Sequence, residues 1–540
     1  MTSQATRCFY PFCVFLTFAL VLALRIGGMP FGEPFVIDAD EPHFVRRAVN
    51  ILATGDPNPH WFGHPGTLTI YNLVALYALK AWAAGVPFDQ LLVQYQDDPA
   101  PFHALGKHLM IFWSLLGHFG LWLLTLQFST RWVALLAVLL MAVAGIDIRI
   151  ASLIRTDTQQ SALLIFLFLC LIQGIRTRKD RWFLGAGLLL GLSTATKWPS
   201  AVVSLVILLT VFVASPGASM TFEWSLRRFR IAVIAGVLSL AALFLVAPHI
   251  FLDFGTVLHD LRAEAPENYP LVKARSTGFF PTLGYYFAAL DSSLSTLGLG
   301  LAAVGMISGM RGEMRRLTLI PLSFFWIYLV FISSLVLKWE RWLVPLIPPL
   351  CLFGALGTKA IYDLALARNG KTVGAFLVGP LLSAALTLGH VPRVVQIVQN
   401  QARPTRNVTV SRWITSNLPP GSRILSESYG PYLPRGPFEL HQVDVQSGKM
   451  VRVAPTSRYV EARGNLGGLK DVPSALANVD YVIVTSYKQK FRKDTPAGRK
   501  ALRVYDHLKR ETELVERFGT LQVRKVRRKD GRRDEGGEGR

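Results

Sequence analysis

The sequence predicts an α-helical polytopic membrane protein of about eleven spans, followed by a small α/β domain. Three observations lead to this fold class. Of the 540 residues, 51% are hydrophobic, and the mean hydropathy is +0.36. Apolar runs of about 20 residues, the length that a helix needs to cross a bilayer, recur along most of the chain. After residue 395 the hydropathy falls and short alternating segments begin.

The apolar runs define the expected spans. The first follows Arg7 and is expected to be a permanent span, because no small-residue cleavage pattern of a signal peptide follows it. The clearest spans lie near residues 9–27, 107–127, 131–149, 160–175, 182–197, 199–214, 230–250, 282–308, 317–337, 342–362 and 373–390.

Loop charge predicts the orientation of these spans. Basic residues crowd alternate connections, as the positive-inside rule requires of a cytoplasmic face. The acidic loop after the first span then lies on the opposite face only if the apolar stretch 66–86 does not cross. Asn72 and Lys80 interrupt this stretch, so we expect a re-entrant or interfacial segment; a true crossing is the alternative and would separate Asp40 from Asp157. The basic connections are 176–181, 227–230, 311–316 and 368–371.

The overall charge is strongly basic, with 57 Lys and Arg against 35 Asp and Glu, a net charge of +22. We attribute it to membrane topology and to contact with anionic membrane lipids. No nucleic-acid role is expected, because a soluble module with basic residues and interleaved aromatics is missing. All four cysteines fall in apolar runs, so neither a disulfide framework nor a structural zinc site is expected.

Residues 1–395 are predicted to form the membrane domain, with the acidic motif in its outer loop 28–65. Residues 396–523 read as a small soluble α/β domain, with a helix at 408–417 and strands at 423–427 and 481–485. Eleven spans and a cytoplasmic N-terminus would place this domain outside the cytoplasm. Residues 524–540 are charged residues and glycine apart from Val526, and they are predicted to be disordered.

Three acids, Asp38, Asp40 and Glu41, follow directly on the first span. They could not stay ionised in hydrocarbon, so they are expected at the membrane surface, facing water or a charged substrate. Residues 44–52 carry an apolar stripe opposite Arg46 and Arg47, which is typical of a short interfacial helix. The acids therefore sit where a helix begins.

Six motifs in order resemble the C-type polytopic glycosyltransferases. Within that superfamily the chain is similar to the bacterial branch of aminoarabinose transferase and protein O-mannosyltransferase-like enzymes, over roughly residues 5–395. The motifs are the Asp40-Glu41 pair, the helix closing on Ala53-Thr-Gly-Asp56, the His64-Pro turn, Arg155-Thr-Asp157, Ala195-Thr-Lys-Trp-Pro199 and Arg341-Trp-Leu-Val-Pro345.

The resemblance implies an active site on the outer face. Asp40 would be the general base that takes the proton from an acceptor hydroxyl, with Glu41 and Asp157 as further catalytic residues. The simpler interpretation of Asp157 is a helix cap, and that of the basic residues is interfacial anchoring. Positive charge is needed to hold the leaving phosphate. The donor-phosphate candidates are Lys197, Arg341, Lys338, Arg155 and His64, the last standing where many relatives have a lysine.

Further candidates are Asp38, His43 and His249, as acceptor-binding or supporting residues. A divalent metal stays open: His43, His60, His64 and His249 with the acids could hold one, but their spacing matches no strong ligand pattern. The long loop 251–281 is expected to cover the donor head group.

The expected function is transfer of a sugar from a polyprenyl-phosphate donor to a hydroxyl of a lipid, glycan or protein acceptor. The expected location is the extracytoplasmic face of a bacterial inner membrane. One alternative is a lipid or sugar transporter, although the charges lie mostly at span ends and no two-half symmetry is seen. Another is a glycan polymerase or ligase that acts on a diphosphate-linked chain.

Overall fold

The structure is a computed structural model of the whole chain. It divides into two compact units. The membrane unit comprises Met1–Leu92, Ala100–Tyr269 and Lys273–Arg403, and the α/β unit comprises Val93–Pro99, Pro270–Val272 and Pro404–Arg540. The residues that the structure describes are 3–27, 29, 40–63, 66–213, 222–263, 276–370, 372–403, 405–428, 430–431, 433–434, 436–444, 447–453, 459–460, 464–491 and 496–527.

The membrane unit is built from helices. Two 3-10 helices, Trp198–Val203 and Glu340–Leu346, interrupt the α-helical series and carry residues of interest below. The α-helices are α1 (Ser3–Ile26), α2 (Glu41–Thr54), α3 (Thr67–Ala84), α4 (Gln90–Asp97), which runs on into the other unit, α5 (Ala100–Leu126), α6 (Arg131–Ala142), α7 (Gly145–Ala151), α8 (Thr156–Thr177), α9 (Asp180–Thr196), α10 (Ser204–Val213), α11 (Phe222–Val246), α12 (His249–Leu252), α13 (Phe254–Ala263), α14 (Phe279–Gly309), α15 (Arg315–Ser334), α16 (Ile347–Asn369), α17 (Val373–Leu388) and α18 (Val391–Ala402).

Eight helices among the described residues are long and apolar enough to cross a membrane, or nine if the bent pair α6 and α7 counts as one span. An integral membrane protein is thus confirmed, whereas the count of eleven spans stays a prediction. The difference arises in part from short helices: α9 has 17 residues, and the apolar helix Trp198–Phe212 also falls below the length of a full span.

The segment 66–86 forms α3, which does not meet the span criterion. The helices before and after α3 indicate whether it crosses the membrane. Arg25 at the end of α1 pairs with Asp147 of α7. Gly106, near the start of α5, packs so closely on Ile154 that an added Cβ atom would come within 2.7 Å of the Ile154 Cδ1 atom. The end of α1 and the start of α5 therefore lie at the same end of the unit, which supports a re-entrant or interfacial α3.

The predicted span 131–149 is wrong as a single helix, because it breaks between α6 and α7 with a bend of 67°. The break frees backbone carbonyl groups that need donors. The fully buried Arg25 supplies one, donating to the Ala142 carbonyl oxygen at 2.8 Å, and its guanidinium also pairs with Asp147. A buried ion pair therefore fixes the bend.

The α/β unit holds a six-stranded sheet of order β4-β3-β1-β6-β8-β7. Strand β1 pairs in parallel with β3 and β6, and the other pairings are antiparallel. Strands β2 and β5 form a separate antiparallel pair. The elements are α19 (Arg406–Asn417), β1 (Arg423–Leu425), β2 (Leu433–Pro434), β3 (Glu439–Val443), β4 (Met450–Arg452), β5 (Tyr459–Val460), α20 (Val472–Ala477), β6 (Tyr481–Val484), α21 (Pro496–Glu511), β7 (Thr512–Phe518) and β8 (Leu521–Val526).

Two predicted boundaries are wrong. Helix α18 belongs to the membrane unit, where Ile397 packs in one cluster with Val143 and Ile148, so the α/β unit begins after Arg403 instead of at residue 396. Strand β8 continues to Val526, and the buried Arg524 donates to the Thr512 carbonyl oxygen at 2.9 Å. Residues 524–526 are therefore ordered in the sheet, and 528–540 lie outside the described residues.

Candidate active site

Asp40 lies at the point where α2 begins. It occupies the N-cap position, but its side chain makes no capping hydrogen bond. Its carboxylate instead accepts from Arg155 at 2.7 Å and lies 3.5 Å from an Arg341 nitrogen. The Asp40 side chain is 27% exposed, against 9% for Arg155 and 11% for Arg341. Two guanidinium groups thus contact one carboxylate, and this carboxylate remains partly accessible to solvent.

Two helix starts bring the guanidinium groups to Asp40. Arg155 is the N-cap residue of α8 and has an extended backbone, which turns the chain into the helix. Arg341 belongs to the 3-10 helix Glu340–Leu346, and its guanidinium lies 4.8 Å from the centroid of the Trp339 ring. The neighbouring Glu340 accepts from Arg149 of α7 at 2.5 Å. The ring and the ion pair together limit the positions open to Arg341.

A second ion pair joins Asp157, in the first turn of α8, to Lys197, directly after α9. Their side chains are only 2% and 4% exposed. Asp157 also interacts electrostatically with Arg341 and Arg155, the two partners of Asp40. Asp157 is therefore not the helix cap, since Arg155 holds that position. The charged cluster, as we call it, consists of Asp40, Arg155, Asp157, Lys197 and Arg341.

Among the described residues, the charged cluster sets three cationic side chains against two carboxylates. Cationic donors at a partly exposed edge favour binding of an anion near Asp40. An anion with an apolar chain would fit a position at the end of membrane helices.

Polar side chains that the sequence reading missed hold the helices around the charged cluster. Gln160, one turn into α8, donates to Ser200 at 2.9 Å, and Ser193 donates to the same hydroxyl at 2.8 Å. Gln159 accepts from Thr69 of α3 at 2.7 Å. These bonds fix the 3-10 helix Trp198–Val203 and α3 against α8. The sequence signal that could have identified these side chains is the pair of adjacent glutamines, Gln159 and Gln160, at the start of an apolar run.

Glu41 points away from Asp40 into a fully buried environment. It accepts from the Ile154 backbone nitrogen at 3.2 Å and lies 3.7 Å from His103 and 4.0 Å from Lys107, both on α5. Burial alone raises the pKa of Glu41, but the contact with His103 and the charge of Lys107 outweigh it, and the pKa stays below its usual value. With no exposed surface, Glu41 cannot touch a substrate. We therefore propose a positioning role instead of the predicted catalytic one.

Lys338 and His43, two other predicted residues, contact aromatic rings outside the charged cluster. Lys338 extends over the Tyr285 ring at 5.2 Å, and no ion pair among the described residues joins it to Asp40 or Asp157. His43 stacks on Trp61, with ring centroids 5.4 Å apart. His249 begins α12. Of the other two predictions, Asp38 and His64 lie outside the described residues.

The described part of loop 251–281 is tied to the first outer loop. Asn58 donates to Asp253 at 3.1 Å, and the Phe62 backbone nitrogen donates to Asp260 at 2.6 Å. The hydrogen bonds from Thr256 and Asn58 lower the pKa of Asp253, so that its charged form is favoured. The predicted role as a cover over the donor stays a prediction.

No metal site is evident in the described ranges, which contain no group of three or more His, Cys, Asp or Glu side chains placed to hold an ion. Two of the candidate ligands have other partners: His60 pairs with Asp56 at 2.8 Å, and His43 stacks on Trp61. Because His64 is not described, the metal prediction stays open.

Comparison with known proteins adds a match to a family model over part of the chain and a shared fold. Residues 108–252, which include Arg155, Asp157 and Lys197, match the family model described as dolichyl-phosphate-mannose-protein mannosyltransferase. No curated protein matches the chain significantly.

Three solved structures share the architecture. ArnT from Cupriavidus metallidurans bound to undecaprenyl phosphate is 14% identical, with a TM-score of 0.58 over 95% of this chain and 97% of that one. The apo state of the same protein is also 14% identical, with a TM-score of 0.59 over 97% of this chain and 98% of that one. The oligosaccharyltransferase AglB from Archaeoglobus fulgidus is 13% identical, with a TM-score of 0.50 over 79% of this chain and 63% of that one. The resemblance predicted from the six motifs is confirmed at this level: the chain has the fold of the C-type polytopic glycosyltransferases.

Proposed function

We propose that the protein is a membrane glycosyltransferase that moves one sugar from a polyprenyl-phosphate donor to a hydroxyl acceptor. The charged cluster is its active site. The observation that carries the proposal is the carboxylate of Asp40 between the guanidinium groups of Arg155 and Arg341, beside the buried Lys197–Asp157 pair. The matches to the mannosyltransferase family model and to ArnT bound to undecaprenyl phosphate support the same reaction class.

The net charge of the cluster favours a monophosphate donor. A sugar joined to a lipid through one phosphodiester brings a single negative charge to the three cationic side chains Arg155, Arg341 and Lys197. A diphosphate-linked donor brings a second negative charge close to the carboxylates of Asp40 and Asp157. Arg155 and Arg341 present planar guanidinium groups, which bind phosphate oxygens through two donors each. This charge balance supports the transferase with a monophosphate donor over a polymerase or ligase that uses diphosphate-linked chains.

In the proposed reaction, the hydroxyl oxygen of the acceptor attacks the anomeric carbon while the bond from that carbon to the phosphate oxygen breaks. Asp40 accepts the hydroxyl proton, since it is the exposed carboxylate of the cluster. The leaving phosphate gains a negative charge as the bond breaks. Arg155, Arg341 and Lys197 stabilise this charge, and no proton donor to the leaving group is required.

Donor binding also prepares Asp40 for its role. Without donor, the carboxylate is the partner of both guanidinium groups. A phosphate that takes over these donors releases a carboxylate oxygen, which becomes available to the acceptor hydroxyl. Asp157 keeps Lys197 in place through both states, because this pair is buried behind the exposed edge.

The site is proposed to face away from the cytoplasm, in a bacterial inner membrane. Helix α8 has Asp157 in its first turn and Arg176 in its last turn, and its 22 residues span about 33 Å. The basic connection 176–181 thus lies at the opposite end from the charged cluster. Because basic loops mark the cytoplasmic face, the cluster lies on the other one.

Purified protein incubated with a panel of labelled donors tests the proposal. We expect sugar transfer from a polyprenyl monophosphate and none from the corresponding diphosphate, with the modified acceptor identified by mass spectrometry. The Asp40→Asn protein should fold and lose transfer, whereas Asp363→Asn, which alters an exposed acid paired with Lys359, should retain it. Consumption of the diphosphate donor alone, or transport in sealed vesicles without product, would contradict the proposal.

A further inference from the structure

The turn that carries Lys197 lies between the end of α9 and the 3-10 helix Trp198–Val203. The Lys197 backbone is extended, with φ −159° and ψ 129°. Its amide nitrogen donates to the Ser193 carbonyl oxygen at 2.9 Å, and its carbonyl oxygen accepts from the Ser200 nitrogen at 3.0 Å. Both bonds are local, so they define the shape of the turn and leave its position to other contacts.

Two residues just before α3 supply contacts from outside the turn. The Gly66 nitrogen donates to the carbonyl oxygen of Thr196, the residue before Lys197, at 3.2 Å. The Phe62 carbonyl oxygen accepts from the indole nitrogen of Trp198, the residue after Lys197, at 3.2 Å. Phe62 and Gly66, which we call the clamp, therefore hold the turn on both sides of the lysine.

The clamp is itself anchored in the membrane unit. The Phe62 backbone nitrogen donates to the Asp260 carboxylate of α13 at 2.6 Å, and the Phe62 side chain has no exposed surface. Moving the clamp away would expose this ring to water, which is unfavourable. The buried residues that pack with Phe62 come from α9 and from the region of α11 to α13: Ala195, Leu243, Ala247, Ile250 and Val257.

We propose that Phe62, Trp198 and Asp260 are positioning residues for the donor phosphate, because they hold the turn that presents Lys197 to it. This inference rests on the proposed function, which takes Lys197 as a phosphate ligand. The Lys197 and Asp157 side chains are only 4% and 2% exposed. A buried ion pair is favourable only with good geometry, so a small shift of the turn weakens the hold on the phosphate.

The same contacts join α13 to the charged cluster. They run from Asp260 to Phe62, from Phe62 to Trp198, and along the chain to Lys197. Tight binding of the lipid phosphate therefore requires α13 to stay docked on the clamp.

Calorimetric titration of the full chain in detergent with polyprenyl phosphate tests the proposal and needs no sugar transfer. Trp198→Phe keeps an aromatic ring and removes the indole donor. Loss of one hydrogen bond weakens binding about fivefold, so we expect the Kd to rise about fivefold in Trp198→Phe and in Asp260→Ala. Asp260→Asn keeps an acceptor oxygen for the Phe62 nitrogen, and its Kd should stay within about twofold of the wild-type value.

A double-mutant cycle separates positioning from general damage to the fold. Trp198→Phe is also made in a protein with the neutral pair Lys197→Gln/Asp157→Asn, which leaves no buried charge unpaired within that pair. If Trp198 acts through Lys197, Trp198→Phe should not change the Kd further in this background, whereas independent effects would add.

The matched control is Trp182→Phe, the same substitution in the first turn of α9, at the other end of the helix. The Trp182 indole nitrogen has no hydrogen-bond partner among the described residues, so this variant should keep the wild-type Kd.

Three results would overturn the inference while the proposed function stands: a wild-type Kd in Trp198→Phe, additive effects in the cycle, or equal weakening by Asp260→Asn and Asp260→Ala. The expected order of Kd values in a protein that transfers no sugar would support the clamp and contradict the proposed reaction. A wild type that does not bind polyprenyl phosphate would overturn both.

Discussion

Two buried ionic groups in the membrane unit differ in a way that separates structure from function. The Arg25–Asp147 pair is closed: both side chains are almost inaccessible, the charges cancel, and Arg25 also donates to the Ala142 carbonyl oxygen at the bend between α6 and α7 and to the Ser114 hydroxyl of α5. The charged cluster is open: Asp40 is 27% exposed, and among the described residues three cations share two carboxylates. A closed pair stabilises a helix break, whereas an open, unbalanced cluster is ready for an anionic ligand.

The largest expected effect comes from Asp40→Asn. An amide cannot accept the hydroxyl proton, and general base catalysis contributes about 10²–10⁴-fold. We expect transfer to fall about a thousandfold in a variant that still folds, although loss of a partner for Arg155 and Arg341 lowers its unfolding temperature. Rates with a polyprenyl-phosphate sugar check this, and a folded variant with the wild-type rate would remove Asp40 as the base.

Arg25→Met tests the closed pair. Removing one partner leaves a buried carboxylate, which destabilises a protein by about 3–5 kcal/mol. We expect Arg25→Met and Asp147→Leu each to lower the unfolding temperature in detergent, and the double variant to recover most of the loss. If the double variant loses as much unfolding temperature as the two single variants together, the two residues do not act as an isolated ion pair.

Arg341→Lys sharpens the assignment of the phosphate site. Lysine keeps the charge but loses the planar pair of donors, so we expect the KM for the donor to rise about tenfold, roughly the 1.4 kcal/mol of one charge-assisted bond, with little change in kcat. Lys338→Gln is the comparison, because this lysine packs over Tyr285. Its KM should change less than about twofold. The reverse order of effects would place the phosphate nearer Lys338.

Glu41→Gln is expected to have the smallest effect. Because the pKa of Glu41 is lowered in the folded protein, its contribution to stability is present above the usual carboxyl pKa and is lost as the pH falls through the lowered value. The unfolding temperature of the wild type should therefore drop on acidification more steeply than that of Glu41→Gln. At neutral pH we expect kcat to fall about threefold with an unchanged donor KM, since a positioning residue acts through Arg155 and Asp40. A loss as large as that of Asp40→Asn would restore a catalytic role.

The grouping of the candidate residues was predicted from the motifs together with the topology. Loop charges placed Arg155, Asp157, Lys197 and Arg341 at one end of the helices, and the structure brings them together with Asp40. Glu41 was grouped with Asp40 because it is next to it in sequence, but successive residues of a helix point about 100° apart, and the Glu41 side chain is buried.

The bend between α6 and α7 was missed for a different reason. Its residues 143–146 are as apolar as the span before them, and only Asp147 and Arg149 interrupt the run. Hydropathy records composition, and the partner that makes the bend favourable, Arg25, is more than a hundred residues away in the chain. Long-range pairings of this kind are not visible in a local pattern.

Binding of polyprenyl phosphate to Asp40→Asn and to wild-type protein, measured by calorimetry, tests the open cluster most directly. Replacing Asp40 by Asn removes one negative charge and the carboxylate that both guanidinium groups contact. The account predicts tighter binding of the lipid phosphate by Asp40→Asn together with loss of sugar transfer. Weaker or unchanged binding would contradict the placement of the donor phosphate between Arg155 and Arg341.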